Sequence, residues 1–213
     1  MENLHKNYEI IEVKEIRHPA LMEYLRTRKV ETQTEFLKEI HYQMNDKNYF
    51  GIGFKNDSGG YEIRNKYAKI CLGKKDVSTI KNGSENVKIF EGFFDFLSFK
   101  NIEKSLENKS SDYIILNSVS MIHNIKNSLR NYEKLELYFD NDEAGREFFQ
   151  KLSDKGLPIT KDLPPLQGLE TKSDWNDIVK QQKEISLSNL IQSAHIQAIK
   201  NHPPPKWEHA LEL

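Results

Sequence analysis

Apolar residues recur at helical spacing through ALMEYLRTRKV, immediately after Pro19, and the spacing predicts a helix there. Thr32 and Glu35 stand at the separation of a capping box, which predicts a second short helix over TEFLKEI. The pattern then changes. IHYQM, YFGIGFK, YEIR and KYAKICL are short strand-like runs separated by the turn-rich NDKN and NDSGG, and they predict an antiparallel meander. Residues 74–86 are polar and lack an apolar period, so they read as a connection that begins after Gly73.

Beyond that connection, short apolar strands alternate with helix-length segments. VKIF precedes FFDFLSFKNIEKSL, YIILN precedes MIHNIKNSLR, and LELYF precedes EAGREFFQKL. Such alternation implies a parallel sheet flanked by helices, with residues 157–162 available as an edge strand. The expected fold is therefore α/β, preceded by a small α+β subdomain. Its parts are an amino-terminal subdomain over 1–73, a connection over 74–86, an α/β domain over 87–182, a helix over 183–200 and an extended tail over 201–213. Pro203, Pro204 and Pro205 exclude a helix in that tail.

The 213 residues balance 31 basic against 32 acidic side chains, so no global positive field announces a polyanionic partner. Any nucleic-acid contact must come from a local patch. One is visible between Arg64 and Asp76, where Arg64, Lys66, Lys69, Lys74 and Lys75 face one acid and Tyr67 is interleaved, with Tyr61 just before. Lys74 and Lys75 read equally well as a solubilising run. Cys71 is the only cysteine, which excludes an internal disulfide and a thiolate-rich zinc site and fits a reducing cytoplasm. The seven histidines show no ligand spacing and read as surface or satisfied core residues. No apolar run is long enough for a secretory signal or a membrane span.

Ligands of open parallel sheets bind at the carboxyl ends of the strands. Glu91 follows VKIF, Asp140 and Asp142 follow LELYF, Asp174 lies in a later loop, and Asp95 stands one helical turn beyond Glu91. Carboxylates gathered on one edge repel one another unless a cation neutralises them, and Mg²⁺, which takes oxygen ligands together with substrate phosphates, suits such a set. Gly92 permits a sharp strand-to-helix turn after Glu91, and Gly145 lets a helix pack closely or a phosphate approach its first turn.

FEGFFDFLSF and LYFDNDEAGREFF resemble the two signature motifs of the Toprim superfamily of topoisomerases, primases and nucleases, over about residues 87–180. The form EG-x-x-D followed by D-x-D-x-AG-R is similar to bacterial primases. The resemblance implies that Glu91, Asp140 and Asp142 are catalytic, and that Mg²⁺ or Mn²⁺ is held by these with Asp95 and Asp174. KSDWND departs from the primase Asp-x-Asp pattern by having Asn176 at its second place. FGIGFKNDSGGYEIRNKYAKICLG is similar to the subdomain that precedes Toprim in primases. By that analogy Arg64 and Lys69 contact nucleoside triphosphate or template phosphates, and Lys66 and Lys172 complete the nucleotide- and nucleic-acid-binding set.

The resemblance implies a DNA-primase-type nucleotidyltransferase acting on single-stranded DNA, in replication of a plasmid or mobile element. Partners implied are nucleoside triphosphates and a zinc-binding module or helicase supplied separately, with no zinc site here and no membrane. The alternatives are a Toprim nuclease, a noncatalytic nucleic-acid-binding module and a dehalogenase-type phosphatase, the last opposed by Glu143 after the second acid. Alanine at Arg64 or Lys69 is expected to leave stability unchanged, because both are read as serving phosphate. Trp175 reads as a packing anchor.

Overall fold

Strand-length segments with alternating inward side chains build the amino-terminal half around one antiparallel sheet. The computed structural model describes residues 8–103, 111–125, 127–140, 142–153, 157–162, 176, 177 and 180. In chain order, the first half runs β1 (Tyr8–Lys14), α1 (Pro19–Thr27), β2 (Lys38–Met44), β3 (Lys47–Lys55), β4 (Tyr61–Arg64) and β5 (Lys69–Leu72). The five strands pair in sequence order as a meander. The β2–β3 turn is Asn45–Asp46, both at positive φ (51° and 58°), the backbone that a two-residue hairpin turn demands.

The predicted first helix is α1. His18 caps it by accepting the N–H of Ala20 on Nδ1 at 3.2 Å, and Pro19 occupies the first turn, where its missing N–H costs nothing. The second predicted helix is not one. Only Thr34–Phe36 form a 3-10 turn, Thr32 Oγ1 donates to Asn101 Oδ1 rather than capping, and the chain from Lys38 is β2. The alternation that buries Ile40 and Tyr42 between β1 and β3 outweighs local helical spacing in so short a segment. Two further strands, β1 and one within the connection, go beyond the elements that the sequence pattern predicts.

The second half runs β6 (Ser78–Ile80), β7 (Asn86–Phe90), α2 (Phe93–Glu103), β8 (Asp112–Ile115), α3 (Ile122–Ile125), β9 (Lys134–Tyr138), α4 (Glu143–Ser153) and β10 (Ile159–Asp162). The sheet order is β10-β9-β7-β8-β6. The first four strands are mutually parallel and β6, inside the predicted connection, is added antiparallel on β8. MIHNIKNSLR, expected as one helix, is broken into the single turn of α3 and a 3-10 turn at Ser128–Asn131. The helix expected over 183–200 and the tail over 201–213 lie outside the described residues, as does Trp175. Among the described residues no helix is long and apolar enough to cross a membrane.

α2 explains how the two halves hold together. Its apolar side chains point to more than one side, and its buried polar ones, Asp95, Ser98 and Glu103, are hydrogen-bonded. Phe96 and Phe99 pack on Phe90 of the parallel sheet, with ring centroids 5.7 and 5.3 Å apart. On the other side Phe93 stacks on Phe54 of β3 at 5.2 Å. One core therefore joins α1, β3, α2 and the near face of β7, β8 and β9. The far face, with Ile89, Ile114 and Leu137, is covered by Ile122, Leu129 and Leu152.

Glu39, almost wholly buried on β2, supplies a pH handle. Burial alone would raise its pKa, but it accepts the N–H groups of Arg17 (2.9 Å) and His18 (2.8 Å) and lies 2.6 Å from His41 Nε2. These bonds overcome burial and lower the pKa from 4.5 to about 2. A folded-state value below the unfolded one stabilises fully above pH 4.5 and loses that stability as pH falls toward 2. The contribution is on the order of 3 kcal/mol. Urea melts across pH 2–7 should therefore show Glu39→Gln less stable than wild type at pH 7 and equal to it near pH 2; a constant difference would reject this account.

Candidate active site

The carboxyl edge of the parallel sheet is where the acidic residues arrive. β7 and β9 are neighbours in register, Phe90 opposite Tyr138, so Glu91 leaves the same rim as Phe139 and Asp140. Each helix that follows is anchored by a carboxylate. Asp95, buried in the first turn of α2, accepts the N–H of Gly92 on Oδ2 at 3.1 Å, the reciprocal half of a capping box. Asp142 is the N-cap of α4, its Oδ1 accepting the N–H of Gly145 at 2.8 Å. Both carboxylates face the positive end of a helix, which offsets part of the like-charge repulsion on the rim.

Gly145 makes the second turn possible. A Cβ there would stand 2.2 Å from the carbonyl oxygen of Asp140, so any larger residue must push α4 off the Asp140–Asp142 loop. Close packing of the helix against that loop is thus what this glycine serves. Gly92 is open except toward Asp95, whose Oδ2 lies 3.0 Å from where a Cβ would be.

The donor chemistry suits a hard divalent cation, since these are oxygen ligands on one edge and Mg²⁺ commonly uses one or two protein carboxylates with the rest supplied by phosphate and water. Among the described residues no three His, Cys, Asp or Glu side chains are grouped closely enough to hold a metal ion by themselves. Asp174 and Lys172 lie outside the described residues. Glu91, Asp140 and Asp142 are each half-buried at the rim.

Asn176 has a physical explanation. It is fully buried, and Nδ2 donates to the carbonyl of Arg28 at 2.7 Å and to Ser98 Oγ at 2.8 Å. A carboxylate has no hydrogen to give either acceptor. The amide thus clips its segment to the end of α1 and the middle of α2.

The basic residues divide. Lys66 and Lys69 are exposed, whereas the Arg64 side chain is only 13% exposed. Its guanidinium lies 5.4 Å from the Phe93 ring and 3.9 Å from Glu62 Oε2. Burial lowers its pKa, the nearby Glu62 carboxylate opposes the change, and the like charge of Arg28 adds to it. Arg28, which the sequence pattern does not single out, lies 4.7 Å from the Phe94 ring, so two guanidinium groups flank the first turn of α2. The only sign of it in the sequence is the basic run at the end of the first helix, RTRK, which carries no spacing of its own. Asn117, at the end of β8, adopts φ 59° and donates through Nδ2 to Ser78 Oγ (2.9 Å) and the Asp76 carbonyl (3.0 Å), tying β6 to the rim. Cys71 is chemically quiet: burial and the adjacent Glu62 carboxylate push its thiol up to about 12.

Residues 88–179 match the family described as Toprim-like, and residues 10–73 match one described as a domain of unknown function (DUF8464). Among solved structures, the primase fragment of the bacteriophage T7 primase-helicase protein is similar at 15% identity, covering 88% of this chain and 74% of that one with a TM-score of 0.50. A chain from a bacteriophage T7 complex of lagging-strand DNA polymerase with primase domains bound to an RNA/DNA hybrid and dTTP is also similar. It shares 15% identity over 84% of this chain and 92% of that one, with a TM-score of 0.49. No curated protein matches the sequence significantly. Residues 88–179 are thus similar to Toprim-like domains, and the fold of the chain is similar to that of the phage primase fragment.

Proposed function

We propose that this protein is a primase-type nucleotidyltransferase that joins nucleotides on single-stranded DNA with Mg²⁺ or Mn²⁺, in replication of a plasmid or mobile element. The observation that carries the reading is the register of β7 and β9, which delivers Glu91 and Asp140 to one rim, with Asp142 capping α4 beside them. Glu91, Asp95, Asp140, Asp142 and Asp174 would hold the cation. When bound, it would neutralise phosphate oxygens and stabilise charge on the transferring phosphoryl group. Arg64 and Arg28, whose guanidinium groups flank the first turn of α2, would face the triphosphate or template, with Lys66, Lys69 and Lys172 adding phosphate contacts. The likeness in fold to a phage primase supports the replicative setting, in which a helicase and a zinc-binding module act as partners.

A primer-synthesis and primer-extension assay on single-stranded DNA with labelled nucleotides, run beside a nuclease assay, tests this directly. The expected result is metal-dependent extension, reduced by about 10²-fold or more in Glu91→Gln and Asp142→Asn. Asparagine is itself a good N-cap, so Asp142→Asn should fold and melt as wild type while losing activity. Strand cleavage without extension would replace this reading with the Toprim nuclease.

The arginine and lysine of the basic patch should now behave differently. Arg64→Ala leaves Glu62 buried without its cation and is expected to cost about 1–3 kcal/mol, contrary to the expectation from sequence. Lys69→Ala should melt as wild type. Both should weaken single-strand binding, each flattening the salt dependence by about 0.7 for every phosphate left without its cation. Equal melting temperatures for the two variants would remove the structural role assigned to Arg64.

A further inference from the structure

The connection between β4 and β5 is the four residues Asn65, Lys66, Tyr67 and Ala68, and it is locked from within. Asn65 Oδ1 accepts the N–H groups of Tyr67 and Ala68, both at 2.8 Å, and Nδ2 donates to the Phe50 carbonyl at 2.8 Å, fastening the tip to β3. On this fixed tip Tyr67 is 88% exposed, while Tyr49, the other exposed tyrosine among the described residues, is 37% exposed. A large ring held in water on a rigid support forgoes the burial that normally rewards an aromatic side chain. The two tyrosines of the basic stretch are separated by the fold: Tyr61 turns inward to pack with Ile40 and Leu72, leaving Tyr67 as the ring a ligand can reach.

Charge is arranged around it. The Lys66 ammonium lies 5.7 Å from the Tyr67 ring, and exposed Lys69 pairs across the hairpin with Arg64. Arg64 in turn reaches Phe93, two residues after Glu91. A line of groups thus runs from the acidic rim, through Arg64 and Lys69, to the hairpin tip.

We propose that Tyr67 is a base-stacking platform for single-stranded nucleic acid, with Lys66 and Lys69 taking the flanking phosphates, so that the β4–β5 hairpin guides a strand toward the acidic rim. The assignment rests on the primase-type reading, because that reading supplies the single strand. Aromatic rings accept any base face, so the contact carries little sequence preference. Lys66 keeps its point charge beside the ring and contributes the salt-dependent part of binding.

Fluorescence anisotropy of the full chain with a labelled oligothymidylate, and with an abasic strand of equal length, separates base from phosphate contacts. Tyr67→Ala should bind oligothymidylate about tenfold more weakly with an unchanged salt slope, and bind the abasic strand as wild type does. Tyr67→Phe and Tyr67→Trp should restore affinity. Lys66→Ala should lower the slope by about 0.7 on both strands. The Tyr67 variants should melt as wild type, since the side chain is 88% exposed. Oligothymidylate binding unaltered by Tyr67→Ala overturns the stacking role alone and leaves the tip as a surface for another kind of partner. Failure of the wild-type chain to bind either strand overturns the primase-type reading together with it.

Discussion

Glu103→Ala is expected to destabilise the protein by about 3–5 kcal/mol, the cost of leaving a buried charge without its partner. Glu103 ends α2 and is 5% exposed, and Lys88, in the middle of β7, is 8% exposed. Glu103 Oε1 accepts from Lys88 Nζ at 3.4 Å, while Oε2 accepts from Lys100 Nζ at 2.6 Å and from the Tyr113 hydroxyl at 2.7 Å. Lys88 also donates to Ser111 Oγ at 2.8 Å. Burial, and then the Glu103 carboxylate, push the Tyr113 hydroxyl pKa well above its ordinary value, so it stays a donor throughout the working range. Removing the carboxylate strands the Lys88 ammonium among Phe99, Tyr113 and one serine hydroxyl. Lys100, more exposed, turns to water at little cost.

In a protein of this size the loss should appear as a fall in melting temperature of about 10 °C. Replacing both charges, Lys88→Met with Glu103→Leu, removes the desolvation penalty with the attraction and should recover most of the stability. A single variant that costs under about 1 kcal/mol, or a double variant no better than Glu103→Ala, would contradict the buried-pair account. The network lies toward the amino end of β7, away from the acidic rim, so nucleotide binding below the melting transition should be unaffected.

Asn176→Asp restores the acid that the primase pattern carries at this place and should nevertheless weaken the fold, by about 2–4 kcal/mol at neutral pH. Ser98 spends its own hydrogen on the Phe94 carbonyl at 2.8 Å, so only lone pairs face Asn176, as they do at the Arg28 carbonyl. A carboxylate in this fully buried position meets two acceptors and no donor. Burial will raise its pKa, and the protonated form can donate one hydrogen, so the deficit should shrink as pH falls below neutral. Denaturant melts of the two proteins at pH 5 and 7.5 would measure this. If Asn176→Asp is as stable as wild type at pH 7.5, the Arg28 guanidinium has turned to pair it and the amide is not needed as a clip.

The chain alone determined the part governed by local period and by position relative to a strand end. The alternation of strand and helix from Val87 onward, the edge strand at Ile159–Asp162, and the placing of Glu91 and Asp140 each just past a strand are all written in spacings of a few residues, whereas the pairing of β7 with β9 is set by the sheet order. The Asp142-to-Gly145 cap belongs with them, because an N-cap acid and the N–H it accepts are three positions apart. Tertiary structure decided the rest. TEFLKEI became a turn and the start of a strand because β1 and β3 were waiting on either side of it, and Ser78–Ile80 became a strand because β8 offered an open edge. Arg64 was legible as a basic residue, but its burial against Phe93 was not. Asn176 meets its partners across 148 and 78 residues of chain, and Glu103 meets Lys88 from the opposite end of α2. Such pairings leave no periodic trace in a sequence, since they are selected by which faces the packed sheets and helices bring together.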